Sequence, residues 1–146
     1  MAKRPYVNWA KLTVTPEMTG TYQPFKQTTS DRYSLGKEPK APSNARLRIM
    51  KVMVHGAPGS DPAEVQKAVS GAVLILEGQS GKKIDLGPAF LRTKECNPWT
   101  TEDGYGFTVP IEVPAGAEYN VIVSFEKASA NTNAVDLFIE IEGMEV

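Results

Sequence analysis

His55 is the sole histidine and Cys96 the sole cysteine of this 146-residue chain, so chemistry built on imidazole or thiolate has to pass through one of them. A Ser-His-Asp triad would need His55, and a metal site would have only carboxylates to add to it. His55 closes an apolar run just before Gly56-Ala57-Pro58-Gly59, a position that suits a structural or surface histidine better than a base. Cys96 stands in Cys96-Asn97-Pro98-Trp99, which matches no nucleophile signature, and a thiol without an activating neighbour is mostly protonated at neutral pH. It reads as a loop or interface thiol. Glu102-Asp103 and the Glu140, Glu142 pair supply the residue type that glycoside hydrolysis sets across a sugar. The second pair falls on the polar phase of an alternating strand, which makes it a solvated face. The glycines of 56–59 and 78–81 lack the spacing of a phosphate-binding loop and the helix that should follow it, so they read as hairpin turns. No catalytic residue, metal ligand or cofactor is expected.

Two other features carry more information. The first is charge: the net value is −1, yet residues 1–51 hold ten basic side chains against three acidic ones, and residues 52–146 hold six against fourteen. A basic leader joined to an acidic body favours docking of one copy on another. The second is the loop from Arg92 to Gly106, where Trp99 and Tyr105 stand among glycine and polar residues. Those two rings suit either a platform for a sugar or a plug into a neighbouring subunit. Basic residues beside aromatics also suit single-stranded nucleic acid, but in the leader they are dispersed and interrupted by acids, which ranks that partner third.

The elements that must position these residues fall into three regimes. Residues 1–44 contain five prolines among Thr, Ser, Gln and Lys and no sustained periodicity, so they are expected to form an extended arm. Only Lys11 to Thr15 alternates as a short strand. Tyr6, Trp9, Tyr22, Phe25 and Tyr33 are too many aromatics for a disordered tail; the first four are expected to anchor the arm on a partner, with Arg4, Lys11 and Lys26 setting its register. From Ala45 the body begins. Leu47 and Ile49 alternate in one phase and Val52 and Val54 in the other, which predicts a strand with a bulge near Met50-Lys51. Asp61-Pro62-Ala63-Glu64 predicts a helix start, with Val65, Ala68 and Val69 at helical spacing. A hairpin over 72–86 and three alternating strands near 107–113, 119–125 and 135–141 complete the list, with Ile122 and Phe138 as apolar exceptions on their outward faces.

Seven or eight strands and one short helix predict an all-β fold: an antiparallel β-sandwich with residues 45–146 as its body, most simply a single jelly roll. An immunoglobulin-type sandwich is the competitor, but one cysteine cannot supply its inter-sheet bridge. The opening residues, MAKRPYVNWA, have charge with no apolar run behind them, so neither a signal peptide nor a membrane anchor is expected. The body from about Arg46 to Val146 resembles single jelly-roll virion proteins, specifically the small penton proteins at the fivefold vertices of tailless, membrane-containing phages. The likeness lies mainly in Ile84 to Leu86, Gly106 to Val113 with its Val-Pro-Ala-Gly turn, and Leu137 to Val146. It implies a symmetric homo-oligomer in a virion, made in a host cytoplasm, with copies of itself and other shell proteins as partners. The long proline-rich leader also suits a minor capsid or decoration protein. On this reading the function is structural rather than enzymatic, and the alternative is a carbohydrate-binding module using Trp99 and Tyr105. Deleting residues 1–44 is then expected to leave a folded body with impaired assembly.

Overall fold

The computed structural model describes residues 3–78 and 81–146. The chain forms strands β1 (Arg4–Val14), β2 (Gly20–Tyr22) and β3 (Leu47–Gly56), helix α1 (Pro62–Val69), and strands β4 (Ala72–Glu77), β5 (Lys83–Pro88), β6 (Gly106–Val113), β7 (Asn120–Phe125) and β8 (Val135–Glu145). Two four-stranded sheets result, ordered β1-β8-β3-β6 and β2-β7-β4-β5, with every neighbouring pair antiparallel. The fold is therefore an all-β sandwich with one helix. The inward phases close one core, in which Leu47, Ile49, Val52, Leu74, Leu76, Val121, Ile139 and Ile141 are almost fully buried. Part of the turn expected at Gln79-Ser80-Gly81 lies outside the described residues.

Local chemistry explains most of these boundaries. The Asp61 carboxylate accepts a hydrogen bond from the Ala63 amide at 3.0 Å and Pro62 opens α1, so the helix starts where an acceptor and a residue lacking an N–H coincide. Glu64 does not reach back to the cap. It accepts from the Thr132 amide at 2.9 Å, tying the helix to the β7–β8 loop. The bulge in β3 falls between Ile49 and Lys51, where the apolar phase changes. Opposite it lies Gly143, whose missing Cβ would collide with the Arg48 carbonyl, so glycine permits the close approach of β8 to the bulged strand.

The leading segment departs from the expected arm. β1 pairs with β8 along its whole length, from Arg4 opposite Glu145 to Val14 opposite Val135, and is an edge strand of the first sheet. Tyr6, Ala10, Val14 and Phe25 lie in the chain's own core. The segment after β2 then straps the outer edge of β1: the Lys11 amide donates to Ser34 O and the Gly36 amide to Trp9 O. It continues along the β6–β7 turn, where Ala41 donates to Ala117 O and Tyr119 to Pro39 O. The proposed boundary at residue 44 therefore corresponds to no structural division, because backbone donors and core side chains cross it throughout. The reason is that proline restricts the chain without preventing a strand, provided it sits at a strand end or an edge, as Pro5 does.

Beneath β1, Asn8 is completely buried. Its amide nitrogen donates to Tyr119 Oη at 2.8 Å and Lys37 O at 3.1 Å. Its oxygen accepts from the Lys37 amide at 2.7 Å and the Trp9 amide at 3.0 Å. One side chain thus joins the strap and the first sheet to the residue that leads into β7.

Candidate interaction site

The residues expected to anchor an arm separate into two groups. Tyr6 and Phe25 are interior, each edge-to-face with Tyr119, and Tyr22 packs edge-to-face on Phe125, so none of the three is free to grip a partner. Trp9, Lys11, Arg4 and Lys26 lie on the surface to differing degrees. Trp9 faces outward from β1, and its indole N–H donates to the carbonyls of Arg32 and Tyr33 at 3.1 and 3.2 Å.

That indole bond places the strap over the outer face of the first sheet and builds an aromatic groove of about 660 Å³ lined by Trp9, Arg32, Tyr33, His55, Pro58 and Phe138. Tyr33 stands edge-to-face on Phe138 with ring centroids 5.3 Å apart and is 60% exposed. The Arg32 guanidinium lies 6.0 Å from the centre of the Trp9 ring and forms no ion pair among the described residues. Sequence reasoning missed Arg32 and Tyr33 as site residues. The signal was Phe138, an apolar residue on an outward phase that needed a cover.

The Arg92–Gly106 loop borders the same face. Trp99 is 76% exposed and Tyr105 is 1% exposed, so the two rings do not form a platform, and the sugar reading loses its second ring. Tyr105 works as a pillar: its hydroxyl donates to Asn97 O at 3.1 Å, while Asn97 Nδ2 donates to Phe90 O at 2.6 Å. From below, Arg92 donates to Tyr105 O at 2.8 Å and lies 4.6 Å from the Phe107 ring centre. Burial holds the Arg92 guanidinium below its ordinary pKa. Trp99 is therefore held out from a braced loop. Cys96, in the same loop, has its thiol pushed up by burial and by Glu95, the wrong direction for a nucleophile.

Between groove and loop, His55 Nε2 lies 3.2 Å from Glu140 Oε2. The hydrogen bond to Glu140 raises His55 above the ordinary imidazole value against the opposing effect of burial. The same bond holds Glu140 below the ordinary carboxylate value. Glu142 pairs with Lys51 at 2.9 Å, so both acids expected on a solvated face are tied down by cations on β3. The histidine's contribution to stability is full below about pH 6.5 and fades as pH rises through its raised value. The glutamate's is present above about pH 4.5 and fades as pH falls through its lowered value. His55→Gln is therefore expected to lower the melting temperature most between those two pH values and least in mild alkali. Equal losses in that window and in mild alkali in thermal scans would refute the pairing.

A second apolar opening lies between the edges of β5 and β6, lined by Leu76, Ile84, Val109, Ile111 and Val113 among others. Val109 is 75% exposed there although it follows the inward phase of its strand; among the described residues neither edge is strapped as β1 is. Among the described residues, no three His, Cys, Asp or Glu side chains come together as a metal site, and no helix is long and apolar enough to cross a membrane. No family model matches the chain, and no curated protein matches it.

Proposed function

We propose that the protein is a non-catalytic structural component of a virus particle, a single jelly roll that assembles with copies of itself. The jelly-roll reading is supported by strand order: β1 pairs with β8, β2 with β7, β3 with β6 and β4 with β5, the nesting expected when one long antiparallel ribbon is rolled into two sheets. The observation that carries the assembly reading is the exposure of large apolar side chains on a small sandwich, namely Trp99, Val109, Tyr33 and Leu91 at 54–76%. Apolar groups gathered at grooves and braced loops favour burial against another protein. The resemblance to phage penton and minor capsid proteins supplies the setting. In this form the tether is no longer an N-terminal arm, since that segment is committed to its own protomer, and the contacts fall to the folded surface.

Sedimentation of the purified chain is expected to give one species of fixed stoichiometry above the monomer mass. An antibody to the chain should co-sediment with phage-sized particles from the producing cells. A monomer at the highest soluble concentration, with no particle-bound antigen, would overturn the proposal.

A further inference from the structure

The geometry points to one docking contact between copies: the Trp99 loop of one molecule enters the Trp9–Tyr33–Phe138 groove of another. This inference rests on the assembly reading and names the surface that reading would use. The chemistry matches from both sides. The loop offers the most exposed aromatic ring in the chain, followed closely by the exposed acids Glu102 and Asp103. The groove offers an aromatic floor with Arg32, a cation lacking an acidic partner among the described residues, at its rim. Glu102 lies 3.6 Å from Lys51 of its own chain, which leaves Asp103 for the guanidinium; an indole entering an aromatic pocket while a neighbouring carboxylate meets an arginine is the usual composition of an interface hot spot, in which Trp, Tyr and Arg dominate.

Preorganisation favours the same contact. Tyr105, Asn97 and Arg92 brace the loop from below, and the Thr100 amide donates to Asn97 O at 3.0 Å and the Gly104 amide to Thr101 O at 2.9 Å. On the other side, the indole bonds of Trp9 hold Arg32 and Tyr33 in place. Little ordering remains to be done on binding, which leaves more of the contact energy as affinity. His55 borders the groove and also the depression lined by Lys94, Pro98 and Glu102 at the base of the loop. Donor and receiver therefore share one face, and two copies related by a twofold axis can each give a loop and receive one. The chain's split charge acts in the same direction, since Arg32 belongs to the basic leader and Asp103 to the acidic remainder.

The test is sedimentation velocity on the full chain and on Trp99→Ala, Arg32→Glu, Asp103→Arg and the Arg32→Glu/Asp103→Arg pair, each checked for an unchanged circular dichroism spectrum. Trp99→Ala is expected to weaken self-association about 30-fold, the scale of one aromatic hot spot. Each single charge reversal should weaken it too, and the double reversal should restore it, which a merely structural effect would not do. Variants that keep the parent's oligomer mass overturn this contact while leaving assembly through another surface intact. A parent chain that is itself monomeric removes the assembly reading and this contact together.

Discussion

A chain lacking residues 1–44 is expected not to fold as a soluble monomer. Eleven residues of β1 are paired to β8, and their removal leaves the β8 backbone as a raw edge over a core that has lost Tyr6, Ala10, Val14 and Phe25. Tyr6, Val14 and Phe25 are almost fully buried, and full burial of a large apolar side chain is worth about 1.5–3 kcal/mol. The strap adds the hydrogen bonds from Ala41 to Ala117 O and from Gly116 to Pro42 O, whose loss leaves the β6–β7 turn with its internal Ala117 to Pro114 O bond alone. Together these amount to a large part of the roughly 5–15 kcal/mol that stabilises a domain. The measurement is circular dichroism with a urea titration of residues 45–146 beside the full chain. A cooperative transition of comparable midpoint in the shortened chain would show that β1 and the strap are dispensable additions to the sandwich, as the sequence pattern alone implies.

That contrast shows where the pattern was legible and where it was not. In β6, β7 and β8 the inward phase is almost purely apolar, so two-residue alternation marks the strands and their faces, and Pro62 behind Asp61 marks the start of the helix. The phase change between Ile49 and Val52 likewise marks a real bulge. Of β1, Lys11–Val14 was legible within the short strand expected at Lys11 to Thr15; the rest escaped because its inward phase reads Tyr6, Asn8, Ala10, with an amide where a hydrophobe should be. Outward it carries Val7 and Trp9, so both phases look mixed. Burial of Asn8 depends on partners at Lys37 and Tyr119, far away in sequence and invisible to local periodicity. β2 has three residues, too few to show any period. In the candidate site, Trp99 stood out by type, but nothing local distinguishes it from Tyr105. Arg92 and Asn97 decide which ring is buried. The groove was the least legible part, since Arg32 and Tyr33 reach Phe138 only through the strap's path across the sheet.

Asn8→Ala is expected to be the most costly single substitution at a polar position. The amide uses four hydrogen-bonding capacities, and truncation strips partners from the Lys37 N–H and carbonyl and from Tyr119 Oη at once. Of these, Tyr119 Oη is deepest: it is left with the Tyr6 hydroxyl as its partner, and burial pushes the phenol far above its ordinary pKa, so it stays neutral. Leaving a buried polar group unmade costs about 1–3 kcal/mol; Tyr119 Oη keeps its bond to Tyr6 and the Lys37 and Trp9 backbone groups are part-buried, so a loss of about 2 kcal/mol is expected for Asn8→Ala. Tyr6→Phe removes only the 2.6 Å hydroxyl contact to Tyr119 and leaves the Asn8 bond in place, so about 1 kcal/mol is expected. The two side chains meet at one oxygen. In urea titrations of both single variants and the double variant, the double variant should therefore lose measurably less or more than the sum, the sign of a shared network. Strict additivity, or an Asn8→Ala variant as stable as the parent, would mean that water replaces the amide and that the strap is held by its backbone bonds alone.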